Sequence, residues 1–284
     1  MKSSLTALLV NVTAGCASIA GLDGYGDPAG GGQGGTGGVG GEVVSSAGGM
    51  MGTGGAGACA YVNAVEDSMP IAWWRLDEAS GAALFNDHVN GRALENDGAM
   101  AGGSPIVCAE GAAADFAEGQ AFLEFTGATA LDFEGTASFS IEVWLVVSSN
   151  VFDSNGPALD VVRKLDDSLA RGWLLRLDAG SVKWRRVAGM SMFDDLSRQI
   201  SPEQNPLHLV ATYDAEAQQM CAYGNGQPLG TCADAMQMLP STSANLVVGA
   251  SSGGALGEGL LDEVAIYDRA LSAGEVEAHY DAGK

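Results

Sequence analysis

Basic side chains are scarce in this chain. Its 284 residues carry 13 Lys and Arg against 35 Asp and Glu, a formal net charge of −22. Such a surface repels phosphate backbones and anionic headgroups, which argues against nucleic acid as a partner and against membrane attachment through charge. Histidine is rarer still. His88, His208 and His279 have no zinc-type spacing to one another or to cysteine, so they read as packed or surface residues. The N-terminal apolar stretch is too short to span a bilayer. Gly249 to Gly254 has Ser251 where a phosphate-binding fingerprint needs glycine, and Ala255 where a phosphate loop needs lysine.

What the chain has in excess is glycine, concentrated near its start. Gly24 to Gly57 holds 17 glycines in 34 residues, with Asp27 and Glu42 the only charges. Ordering so much glycine costs more entropy than the few apolar side chains there return, which predicts a disordered tether. As a flexible coil it has an end-to-end distance of roughly 30–35 Å. Ahead of it, Lys2, a short apolar stretch and Ala14-Gly15 have the parts of a secretory signal over 1–15, cut before Cys16. A cysteine at the cut resembles a bacterial lipoprotein lipobox, with Thr13 in the position where Leu is usual. The resemblance implies lipidation of Cys16, a lipid anchor as the chain's sole membrane contact, and delivery to the outer membrane or cell surface. The alternative is a secreted or periplasmic protein cut near Ala14 or Gly15.

The remaining 226 residues, 59–284, are ordinary for one β-sandwich. Lys2 against Asp23, Asp27 and Glu42 leaves −2 before residue 59, so the domain carries about −20 of the total. Four cysteines remain, Cys59, Cys108, Cys221 and Cys232, and an exported chain meets an oxidising compartment. Three pairings are open. The Asn225-Gly226 turn favours Cys221 with Cys232, given a bulge or a looser turn, because simple two-residue registration would set Cys221 against Gly230. Cys59 is then left to Cys108.

Short apolar segments with period two follow one another between Gly, Asn and Asp turns. They run over 139–146, 173–177, 182–187, 207–213, 219–223, 245–249 and 260–267. This predicts an all-β, two-sheet antiparallel sandwich. In the hairpin around Asp178-Ala179-Gly180, Arg176, Lys183 and Arg185 share one face and Trp and Leu the other. Ser272-Ala273-Gly274-Glu275 has capping-box spacing and opens a short C-terminal helix whose Val276, His279 and Tyr280 lie on one side.

Pro70-Ile71-Ala72-Trp73-Trp74-Arg75-Leu76-Asp77, Ser140 to Trp144, Val210 to Asp214 and Gly259 to Ser272 resemble, in order, strands of LamG-like jelly-roll domains. These belong to the concanavalin A-like lectin/glucanase superfamily. Leu207 stands where a Trp is common in that family. The resemblance covers roughly 61–282 and implies a jelly roll, on whose curved face some members hold sugars. It also implies a structural calcium on a carboxylate near the closing strand, with Asp262 and then Asp77 as candidates.

Hydrolase members place two carboxylates on one strand at alternate positions, about 5–5.5 Å apart for a retaining mechanism. Here Glu142 stands alone, and Asp262 and Glu263 are adjacent, which in a regular strand sends them to opposite faces. The expectation is therefore a binding module and not an enzyme. Its partner is a glycan, or else an envelope or extracellular protein in an adhesion role. Trp173 and Trp184, beside Arg176 and Arg185, are the candidate binding surface.

Overall fold

The computed structural model describes residues 59–109, 111–116, 121–153, 156, 158–250 and 259–284. The signal segment, Cys16, the glycine-rich tether and most of the Gly249–Gly254 loop lie outside the described residues.

Helix α1 (Ala60–Asp67) leads into β1 (Ala72–Trp74), β2 (Leu84–Asn86), β3 (Ala93–Asp97), β4 (Met100–Gly103), β5 (Ala113–Asp115) and β6 (Phe122–Phe125). The long strands β7 (Phe139–Val147), β8 (Leu159–Asp166), β9 (Arg171–Asp178), β10 (Ser181–Gly189), β11 (Met192–Gln199) and β12 (Leu207–Asp214) follow. Then come β13 (Gln219–Gly224), β14 (Gln227–Pro228), β15 (Ala233–Asp234), β16 (Leu246–Ala250), β17 (Gly259–Tyr267) and helix α2 (Ala273–Gly283).

The strands form two antiparallel sheets, a jelly-roll sandwich. One runs β14-β13-β12-β7-β17-β5-β4, with β1 also on β17 and β15 on β13; the other runs β11-β10-β9-β8-β16-β6-β3-β2. Strand β7 shows why the layers stack. Phe139, Ile141, Val143 and Leu145 alternate onto the inner face and are fully buried between the sheets. Ser140, Glu142 and Trp144 take the outer face, yet they are buried too, because α1, α2 and the chain around Val107 cover them.

Helix α2 begins where its capping box says it should, with Ser272 and Glu275 bonded reciprocally. Helix α1 has no side-chain cap at Cys59. It is held instead by buried Tyr61 and Val65 and by the Cys59–Cys108 disulfide. The second disulfide joins Cys221 to Cys232. Between the β14 and β15 pairings the partner register on β13 shifts by two residues, since Tyr223 faces Pro228 but Met220 faces Ala233. That irregularity brings Cys232 opposite Cys221.

Trp173 and Trp184 are not on a binding surface. Both are fully buried in an aromatic cluster with Phe139, at centroid distances of 5.7 and 5.2 Å. Their indole N–H groups donate to the carbonyls of Leu131 and Thr212. Burying rings of that size gives roughly 2–3 kcal/mol each, more than an exposed stacking platform could return without ligand. The neighbouring arginines are also engaged. Arg176 bonds the buried Asp160, and Arg185 makes a two-pronged pair with Asp195 and lies over Phe193. The expected one-faced row of Arg176, Lys183 and Arg185 is present, but its charges are neutralised in place.

Candidate functional site

Glu142 is the organising residue of the covered face. It is fully buried in the middle of β7 and accepts four side-chain hydrogen bonds. Tyr61 Oη of α1 donates at 2.9 Å and Tyr267 Oη of β17 at 2.7 Å. His208 Nε2 of β12 lies at 2.8 Å and His279 Nδ1 of α2 at 2.9 Å. Burial alone would raise the Glu142 carboxyl, but the two histidine hydrogen bonds outweigh it and hold the group well below the usual carboxylate range. Burial and the Glu142 charge push both tyrosines up. Burial opposes charge on His279, yet its bond to Glu142 wins and raises it. Its other nitrogen meets Ser68 Oγ at 2.9 Å. Two helices and three strands thus converge on one anion, so His208 and His279 are neither free nor zinc-like. With its acceptor capacity used and no route to solvent, Glu142 cannot serve as a hydrolytic acid or base.

Directly beside this hub an aromatic stack runs out toward solvent. The His208 ring lies 4.7 Å from that of Trp144, and Tyr280 lies nearly parallel to Trp144, with centroids 5.7 Å apart and planes at 15°. Lys284 Nζ lies 5.1 Å from the centre of the Tyr280 ring. Trp144 and Tyr280 line an open groove of about 500 Å³, together with Ile106, the Cys108 loop, Pro206 and Gly283. Gly283 permits this shape. A Cβ there would meet Trp144 Cζ2 at 2.7 Å, closer than packed atoms approach.

One polar atom in the groove wall is unspent. Trp144 Nε1 is buried with no hydrogen-bond partner. The other four indoles are all paired: Trp73 to Glu263, Trp74 to the Arg92 carbonyl, and Trp173 and Trp184 as above. A buried donor without an acceptor costs about 1–3 kcal/mol.

A second polar cluster lies where β17 passes β1. The β7–β17 register slips between Asp262 and Ala265, with Glu263 at φ +54°, so both carboxylates turn to the covered face. This corrects the expectation that they point apart. Asp262 accepts the Ile106 and Val107 amides at 3.0 and 3.4 Å, while Glu263 accepts Trp73 Nε1 at 2.7 Å and Arg75 Nε at 3.3 Å. Burial, together with the charge of Asp77, pushes Asp262 up to about 7; burial and the charge of Asp262 push Glu263 up to about 8.

Calcium does not fit this cluster. It needs six to eight hard oxygens, and no three His, Cys, Asp or Glu among the described residues are arranged to hold a metal. Asp77 pairs with the Arg75 guanidinium at 3.0 Å, so a fixed cation already occupies one of the two carboxylates proposed for calcium. The calcium expectation at Asp262 and Asp77 is thus replaced by an arginine-bridged carboxylate cluster.

Sequence reasoning missed Trp144 and Tyr280 as a pair because they come from the outer face of β7 and the last helix, far apart in the chain. The expected helix face of Val276, His279 and Tyr280 was the one available signal.

The family model described as Concanavalin A-like lectin/glucanases superfamily, of laminin G type, matches residues 119–277, more than half of the chain. No curated protein sequence matches it. Among solved structures, it is similar to the binding domain of Paraclostridial Mosquitocidal Protein 1, with TM-score 0.61, 17% identity, and coverage of 77% of this chain and 53% of that one. A botulinum neurotoxin serotype D ligand-binding domain in complex with N-acetylneuraminic acid gives TM-score 0.58 at 13% identity, covering 78% and 52%. The binding domain of botulinum neurotoxin DC in complex with rat synaptotagmin II gives 0.58 at 12%, covering 77% and 52%. The chain spans about half the length of each. At these identities the similarity establishes the shared fold.

Proposed function

This chain belongs to the concanavalin A-like lectin/glucanases superfamily, and from that premise we propose that it is a non-catalytic carbohydrate-binding module held at a bacterial cell surface. The observation that carries the reading is the groove in which Tyr280 and Trp144 stack beside an unpaired indole N–H. Sugars are bound by aromatic faces that cover their C–H surfaces and by donors that meet their hydroxyl oxygens. Lys284 adds a cation at the rim, paired there with Asp281 at 2.7 Å.

Similar folds that carry N-acetylneuraminic acid or a protein ligand support binding as the general role. Buried, saturated Glu142 and the arginine-bridged Asp262 cluster offer no accessible acid–base pair of the hydrolytic kind. The lipid anchor at Cys16 and the glycine-rich tether complete the proposal, lifting the module roughly 30 Å from a membrane.

A glycan array with wild-type protein and Tyr280→Ala tests the site. A hit on a polysaccharide lost in the variant, with melting temperature retained within a few degrees, is the expected result. A silent array with capture of an envelope protein moves the role to adhesion, and release of reducing sugar overturns the non-catalytic assignment. Incorporation of labelled palmitate into the wild type, and none into Cys16→Ala, tests the anchor.

A further inference from the structure

The chain's exposed apolar side chains are unevenly distributed, and four of the most exposed are methionines in two Met-x-Met pairs. Met190-Ser191-Met192 forms the turn and first residue of the β10–β11 hairpin, and Met236-Gln237-Met238 follows β15. Their exposures are 88%, 54%, 67% and 67%. Leaving four long thioethers in water at two separate places has no packing rationale.

The fold brings the two pairs together through one carboxylate. Asp194, two residues beyond Met192 on β11, accepts the backbone N–H of Met236 at 2.9 Å and of Gln237 at 3.1 Å. Arg186 closes the clip, donating to Asp194 at 2.7 Å and to the Gln237 carbonyl at 2.9 Å, while its guanidinium lies 3.4 Å from the centre of the Tyr213 ring. Asp194 and Arg186 are almost wholly buried, so this junction is fixed and not incidental. The adjacent acids Asp194 and Asp195 are thus a structural strap and an exposed partner of Arg185. Met192 lies about 7 Å along the strand from Asp194 on the same face. The strap therefore sets the chain at Met236 beside the strand that begins at Met192, and each thioether has three rotatable bonds with which to reach toward the other pair.

We propose that these four thioethers form a surface site for a soft monovalent cation, Cu(I) or Ag(I). Neutral sulfur ligands without imidazole or thiolate select such ions over zinc, calcium or magnesium. The long-range field of a −22 chain favours approach of a cation. Thioethers do not titrate, so uptake should be independent of pH between about 5 and 8, unlike sites that must lose protons to bind.

The test is a titration of Ag(I) into full-length chain carrying Cys16→Ala, with carbon-13 labelled methionine methyls read by NMR. The methyls of Met190, Met192, Met236 and Met238 should shift together and saturate near one equivalent. Met69 and Met100, exposed at 73% and 46% but isolated, should stay unmoved. Met190→Leu with Met192→Leu preserves volume and should weaken binding at least tenfold while the fold remains intact. Equal response of all exposed methionines, no response at one equivalent, or unchanged affinity in the double variant would overturn the proposal. None of these results depends on whether the distant groove binds sugar.

Discussion

Tyr280 of the last helix lies parallel to Trp144 of a central strand, their ring centres 5.7 Å apart. That contact exists because His279, the residue before it, is bonded to Glu142, two residues before Trp144. The buried anion docks α2, and docking α2 builds the groove wall. Stability of the covered face and shape of the candidate site are therefore one problem.

Replacing Glu142 by Gln keeps the volume but removes the charge that His208, His279, Tyr61 and Tyr267 all address. Breaking a buried charge network of this kind costs about 3–5 kcal/mol. Urea unfolding should show a loss in that range, with α2 detaching before the sandwich melts. A change below about 0.5 kcal/mol would mean that the hub does not hold the helices.

Gly283→Val tests the shape of the groove. Its Cβ would enter the space of Trp144 Cζ2 at 2.7 Å and of Tyr61 Cδ2 at 3.1 Å. Overpacking costs roughly 1–3 kcal/mol, so the melting temperature should fall by several degrees. Ligand affinity should fall with it, as the end of α2 moves off Trp144. Unchanged melting and binding would contradict the packing described.

Stability should decline from pH 5 to pH 8. Asp262 and Glu263 have folded pKa values of about 7 and about 8, above those of an unfolded carboxyl. The folded state therefore binds more protons than the unfolded chain in this window, and its advantage is lost as pH rises through the folded values. His279, also raised, acts in the same direction above its unfolded value of about 6.5. Glu142, held low, contributes stability above the unfolded carboxyl value and loses it only in strong acid. The combined fall is on the order of a few kcal/mol. Chemical denaturation at pH 5, 6.5 and 8 measures it, and Asp262→Asn with Glu263→Gln should flatten the profile. A wild-type optimum above pH 7.5 would contradict the burial of these acids.

Strands β8 and β11 were missed, whereas β7, β9, β10, β12, β13, β16, β17 and the terminal helix were legible because each carries its own local signal, alternation between turns or a capping box. Helix α1 was not. Tyr61-Val62-Asn63-Ala64-Val65 has no side-chain cap, and what holds it is a disulfide and burial against distant residues. The Glu142 hub was hidden for the same kind of reason, since its donors at positions 61, 208, 267 and 279 meet only in three dimensions. Asp262 and Glu263 misled because a bulge breaks the two-residue period from which their directions were read. Trp173 and Trp184 misled because flanking arginines are equally compatible with a binding face and with the rim of a core. Only the paired indole N–H groups and full burial decide that in favour of the core.

The measurement that bears most directly on the glycan-binding groove is the indole N–H region of an amide NMR spectrum recorded during addition of an acidic polysaccharide. Five indole signals are expected, and Trp144 Nε1 is the one without a hydrogen bond in the free protein. The account predicts that this signal moves downfield on binding while those of Trp173 and Trp184 stay in place, and that Tyr280→Ala abolishes the shift. Movement of Trp173 or Trp184 with Trp144 unmoved, or binding that leaves all five signals unchanged, would contradict it.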